Sequence, residues 1–146
     1  MQFTTATIAL LAAAGSSLAA PAPASAAGKS MMADASTWTL QDFVRTCASG
    51  SCTYDYSINL NDGSAATHCN YQVTGNPAEQ AAYQNVACGP FVIGSTWSGQ
   101  FGAGQGFQTL SVVKDRQIIF PAYTDNQLVS GQVVKPDQSY TPQNLP

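Results

Sequence analysis

With 146 residues, 9% charged side chains and a formal net charge of −3, the chain has the size of one domain able to bury a real core. Lys29, Arg45, Lys114, Arg116 and Lys135 are scattered, whereas nucleic-acid binding needs clustered cations against phosphates, so that class is set aside. Beyond the N-terminal segment nothing is long and apolar enough for a membrane span, which takes roughly 20 residues, and residues 140–146 lack the apolar tail of a lipid-anchor signal.

Residues 1–19 read as a secretory signal peptide: 6–14 are almost wholly apolar, small residues follow, and no charged side chain precedes Lys29. Ser17 and Ala19 satisfy the small-x-small rule, so cleavage is expected after Ala19. A cut after Ala20 would put Pro21 just past the scissile bond and Leu18 where a small residue is wanted. Residues 20–36 open Ala-Pro-Ala-Pro-Ala-Ser and offer little to bury, which predicts a disordered leader. Residues 37–146 are then expected to form a single β domain.

Trp38 and Leu40 alternate with Thr37, Thr39 and Gln41, the period of a strand; Phe43 breaks the parity, which predicts a bulge near Asp42. After the turn Ala48-Ser49-Gly50-Ser51, the residues Cys52, Tyr54, Tyr56, Ile58 and Leu60 share one face and Thr53, Asp55, Ser57 and Asn59 the other. This is the clearest alternation in the chain and marks an antiparallel strand with one wet face. Asn61-Asp62-Gly63 turns the chain into Cys69, Tyr71 and Val73, and Gly75-Asn76-Pro77 ends that strand. A short helical turn is expected somewhere in 78–83, then a strand over 86–93 interrupted at Gly89-Pro90.

Strands at 97–101 and 107–113 flank a Gly-rich turn, and with no comparable apolar run elsewhere the core is expected to close there. Ile118-Ile119-Phe120 follows a reversal at 114–117, Thr124 caps a short turn, and 132–134 is a last strand before a polar, proline-punctuated tail. Tyr54, Tyr56, Ile58, Leu60, Tyr71 and Val73 are expected inside, faced by Trp38, Leu40, Leu110, Val112, Ile118 and Phe120. Frequent strands without long helical periodicity predict an all-β fold, a small antiparallel barrel or sandwich with at most short helical turns.

Cys47, Cys52, Cys69 and Cys88 in a secreted domain read as two disulfides, for which three pairings exist. A zinc site would want paired C-x₂-C spacing or nearby histidines, and His68 is the only histidine, so no metal is expected. Cys47 and Cys52 bracket a short turn between adjacent strands, close enough for a bridge; Cys69–Cys88 follows by elimination.

Catalytic constellations are hard to assemble from these residues. Gly102-x-Gly104-x-Gly106 leads into β-formers and not the helix a phosphate loop requires. His68 falls on a wet strand face beside Cys69, and Glu79 is the only glutamate for a carboxylate pair. Asp55, Asp62, Asp115, Asp125 and Asp137 fall in turns or on wet faces, and Asp125-Asn126 lacks a full calcium loop. The expectation is therefore no catalysis and no cofactor. Aromatics at 97, 101, 107, 123 and 140 lie beside glycines and prolines, where they serve either as core or as a platform for sugar or protein contact. Loops on rigid scaffolds carry recognition, which makes Gln100, Gln105 and Phe107 of the 99–107 segment the candidate recognition residues.

Blocks along essentially the whole chain carry a resemblance: Met1-Gln2-Phe3-Thr4-Thr5, Lys29-Ser30-Met31-Met32, Trp38-Thr39-Leu40, Arg45-Thr46-Cys47, Cys88-Gly89-Pro90, Trp97-Ser98-Gly99-Gln100-Phe101-Gly102, Gln105-Gly106-Phe107, Pro121-Ala122-Tyr123-Thr124-Asp125 and Lys135-Pro136-Asp137-Gln138-Ser139-Tyr140. In these the sequence resembles the small secreted hypersensitive-response-inducing elicitors of filamentous fungi, of the type first named from the rice-blast fungus. Its opening is also distantly similar to the Alternaria major-allergen family of β-barrels. The resemblance implies a compact, extracellular β-barrel elicitor or effector without catalytic residues. It would be recognised by a plant cell-surface receptor or wall component and act as a monomer. The competing reading is a secreted carbohydrate-binding or weakly hydrolytic cell-wall protein.

Overall fold

The computed structural model describes residues 37–146; the expected signal peptide, its expected cleavage near Ala19 and Ala20 and the expected leader at 20–36 lie outside the described residues. Within them, two antiparallel sheets form. The first holds β1 (Trp38–Ala48), β2 (Ser51–Asn59), β3 (Thr67–Thr74) and β9 (Gln138–Tyr140) in the order β3-β2-β1-β9. The second holds β4 (Tyr83–Cys88), β5 (Phe91–Ser98), β6 (Phe107–Lys114), β7 (Gln117–Ile119) and β10 (Gln143–Asn144) in the order β10-β7-β6-β5-β4, with β8 (Ala122–Thr124) also paired to β6. Each sheet keeps its own edges, so the architecture is a sandwich and not a closed barrel.

The bulge is where the broken parity puts it. The β1–β2 register shifts between Gln41 and Val44, and Asp42 has a φ of 53°. Before the bulge Trp38 and Leu40 point inward; after it Phe43 and Arg45 do. One extra residue therefore carries a charged guanidinium into the interior. Inward positions of β2 are Cys52, Tyr54, Tyr56 and Ile58, all buried, with Cys69 and Val73 of β3 beside them. Leu60 and Tyr71 are half-buried against this core. At the centre Phe43 stacks on Tyr123 at 4.3 Å and on Tyr56 at 4.7 Å, while Trp38 meets Phe91 edge-on at 5.7 Å. Such aromatic pairs add about 0.5–1.5 kcal/mol each beyond their buried area.

Cys47–Cys52 and Cys69–Cys88 are the two bridges, the first across the Ser49-Gly50 turn, the second joining β3 of one sheet to β4 of the other. The expected helical turn is a single 3₁₀ turn, Ala78–Gln80.

Four expectations need correction, and one region gains strands beyond those expected. The interrupted strand over 86–93 is two strands, β4 and β5, joined at Gly89-Pro90, where Gly89 takes a positive φ of 54°. The strand expected over 97–101 stops at Ser98, because Gly99 and the glycines after it begin a loop. Residues 132–134 make only one isolated bridge, Val44 to Val133. The polar tail, for which no strand is expected, adds two: β9 pairs with β1 and β10 with β7, so backbone groups rather than apolar side chains hold it. Finally, Phe120 is 50% exposed. On β7 it is Ile119, opposite the buried Val112, that points inward, and Phe120 takes the outward parity.

Candidate recognition loop

The chain leaves β5 at Ser98 and enters β6 at Phe107, and the segment between is built of consecutive turns. The Gly102 amide donates to the Gly99 carbonyl at 3.0 Å and the Gln105 amide to the Gly102 carbonyl at 3.1 Å. Gly102 and Gly104 have φ of 104° and 76°, a conformation that side chains resist. The indole of Trp97 lies against Gly99 and Gly106 at the two ends of the loop. A Cβ added at Gly99 would stand 2.5 Å from the Trp97 ring, and one at Gly106 would collide with the same ring and with the Asp125 carboxylate. These two glycines therefore let the base of the loop close over the indole.

A chain of polar groups fixes that base. The Trp97 indole N–H donates to Asp125 Oδ2 at 2.9 Å, and the Asp125 amide donates to the Gly106 carbonyl at 2.9 Å. Asp125 Oδ1 lies 3.9 Å from the Arg45 guanidinium, which is ion-pair range but too long for a hydrogen bond. Arg45 is buried, donating from Nη1 to Gln108 Oε1 at 3.0 Å and to the Glu79 carbonyl at 3.3 Å, and from Nη2 to the Leu128 carbonyl at 3.4 Å. Gln108 in turn donates through Nε2 to the Tyr54 hydroxyl and to Ser95 Oγ, both at 2.8 Å. A buried charge persists only when paired and hydrogen-bonded, and this network satisfies most of the requirement while running from the core to the loop's foot.

Above the base, Phe101 is 67% exposed and stacks on Phe107 with ring centroids 5.8 Å apart. Phe107 is half-buried, and Gln100 and Gln105 are both exposed. The loop thus brings together all three sequence-predicted residues, and among the described residues neither glutamine side chain has a hydrogen-bond partner. Phe101, outside that set, is the more exposed ring; its position between two turn glycines was the available signal. The other aromatics divide differently. Trp97 supports the loop, Tyr123 is core, and Tyr140 is half-buried and accepts from the Ala122 amide at 3.3 Å.

Apart from Asp125 and Arg45 at the loop's base, the titratable candidates lie elsewhere. His68 is exposed on the outer face of β3, with Nε2 3.1 Å from Asp55 Oδ1; Asn70 donates to Asp55 Oδ2 at 2.6 Å. The Asn70 hydrogen bond, above all, holds the Asp55 carboxyl below its ordinary value. Glu79 meets Arg45 only through its backbone carbonyl. Lys135 contacts both Asp42 and Asp137 at the surface. One cluster of metal-ligand types occurs among the described residues, Cys47, Cys52 and Glu79, and its two sulfurs are joined to each other, leaving no thiolate for a cation.

A family profile described as Effector TSP1 matches residues 39–145. A curated relative described as "Effector TSP1", from Hypocrea virens (strain Gv29-8 / FGSC 10586), is 45% identical over 151 aligned positions covering 100% of each chain. The matched span contains both disulfides, the buried Arg45 network and the Gly-rich loop, and the chain belongs to the effector TSP1 family, a fungal effector family.

Proposed function

We propose that this protein is a secreted effector of the elicitor type, recognised by plant hosts and triggering defence and hypersensitive-type responses. It works by being bound and not by catalysis. The carrying observation is the Phe101–Phe107 pair, an exposed stacked aromatic platform on a loop whose base is locked by Trp97 and Asp125. Exposed aromatics on a preorganised loop supply contact area at little ordering cost, the chemistry of binding hot spots. Family membership and the resemblance to the rice-blast-type elicitors support the same reading. The one histidine pairs with Asp55 at the surface, and Glu79 is not among its partners, which leaves acid and base roles poorly provided for.

Infiltration of purified protein into leaves tests this. Phe101→Ala is expected to raise the dose needed for a defence response by about tenfold, more than Phe107→Ala, Gln100→Ala or Gln105→Ala. Folded His68→Ala and Glu79→Ala proteins should signal normally. If either loses all activity, binding alone does not explain the response.

A further inference from the structure

We infer that the outer face of the six-stranded sheet carries a second, separate site, a groove for one neutral sugar ring of a glycan. It is walled by Gln84, Thr96, Thr109, Ser111 and Phe120, beside Gly94.

The strand register builds it. Gly94 pairs with Ser111 and Thr96 with Thr109, so these four outward positions are adjacent on β5 and β6. Gly94 leaves room for its neighbours' side chains: a Cβ there would stand 2.8 Å from both Gln84 Oε1 and Ser111 Oγ. Those two polar groups therefore converge over the glycine. Phe120, 50% exposed, lines the same groove. Ser95 and Leu110 reach it only from beneath, since both are buried and the Ser95 hydroxyl accepts from Gln108. The groove measures about 190 Å³, below the roughly 300–1,000 Å³ of pockets for drug-sized ligands, so it suits a single small ring.

The occupant's chemistry follows from the lining. None of the lining residues is charged, which offers nothing to a phosphate, a carboxylate or a metal ion. Among the described residues, the side chains of Gln84, Thr96, Thr109 and Ser111 have no hydrogen-bond partner. An apolar ligand seated there would strand three hydroxyls and an amide away from water, a penalty for each group left unpaired. A sugar ring answers both demands: its hydroxyls exchange hydrogen bonds with the Thr, Ser and Gln groups, and its C–H face covers the Phe120 ring.

The test is an NMR titration of the ¹⁵N-labelled protein with cellotetraose, chitotetraose and xylotetraose, each to about 10 mM. The expected result is saturable amide shifts confined to Thr96, Thr109, Ser111 and Phe120 with at least one of them. Phe120→Ala should weaken binding by about tenfold, and so should Thr96→Val, which removes only an exposed hydroxyl and keeps the fold if the larger change does not. Phe101→Ala should leave the affinity unchanged, which separates this groove from the loop proposed above. Absence of shifts with all three glycans, shifts insensitive to both groove variants, or binding of phenol at these residues when no sugar binds would each overturn the assignment.

Discussion

On the outer face of the four-stranded sheet, polar side chains are bonded to one another across strands. Asp55 accepts from Asn70 and pairs with His68, Thr39 bonds Ser139 at 2.7 Å and receives Asn61 at 2.9 Å, and Gln72 reaches Ser51 at 3.3 Å. On the outer face of the six-stranded sheet, Thr96, Thr109, Ser111 and Gln84 lack such partners and stand among Val92, Phe120 and Phe107, partly or largely exposed. Both faces obey the same alternation, yet one is finished by its own cross-strand pairs and the other is left open. A face whose polar groups pair with one another has few left to offer, whereas hydrated hydroxyls beside exposed aromatic rings are the groups that the proposed sugar groove would use.

The contrast between inner and outer positions is sharpest on β6, where Leu110 is fully buried and Ser111 faces the groove. Leu110→Ala should cost about 2–5 kcal/mol, the transfer free energy of the lost groups plus a residual cavity. Ser111→Ala should stay within about 0.5 kcal/mol. Denaturant midpoints of the two variants measure this directly, and similar losses would mean that the two faces of β6 are not as different as drawn.

The disulfides extend the comparison from residues to whole sheets. Cys69–Cys88 spans 19 positions and ties one sheet to the other, while Cys47–Cys52 spans five within a single hairpin. On the chain-entropy account, removing the first pair with serines should cost about 3 kcal/mol and removing the second about 2 kcal/mol. Thermal unfolding of the two double variants checks the order.

How much of this was legible beforehand depended on whether side-chain pattern or backbone pairing decided the outcome. Strand β2 was legible because Cys52, Tyr54, Tyr56 and Ile58 alternate without interruption, and the bulge because Phe43 breaks the rhythm. The same bulge implied that Arg45 turns inward, but a lone arginine reads as surface until its partners Gln108 and the Leu128 carbonyl are brought from 63 and 83 positions away. Phe120 misled because Ile118-Ile119-Phe120 offers apolar residues on both parities, so the run cannot say which face is core. Strands β9 and β10 were invisible for a different reason: polar residues such as Gln138, Ser139 and Asn144 enter the sheets through main-chain bonds, which composition does not record. At the loop, the glycines announced the turn; that Gly99 and Gly106 close over Trp97 required the register that brings Asp125 beside them. The groove had no local signature, since Gln84, Gly94, Ser111 and Phe120 come from four separate strands or strand ends.

The smallest expected effect tests the self-satisfied face on its own terms. Asn70's hydrogen bond, with His68's help, sets the folded Asp55 carboxyl below its ordinary value of 3.8, against a smaller opposing effect of burial. A group whose folded pKa is depressed contributes stability that is present above its unfolded pKa and is lost as the pH falls through the folded one. The contribution should therefore be intact near neutrality and disappear below about pH 4. Asp55 and His68 are 43% and 61% exposed, so solvent screening limits it to at most about 0.5 kcal/mol. Melting curves from pH 6 down to about pH 2.5 should show a shallower acid decline for Asp55→Asn than for the parent, and an unchanged decline for Phe120→Ala on the opposite face. If Asp55→Asn is as acid-sensitive as the parent, the cross-strand pairs on the four-stranded sheet are geometric only, and the energetic distinction between the two faces fails there.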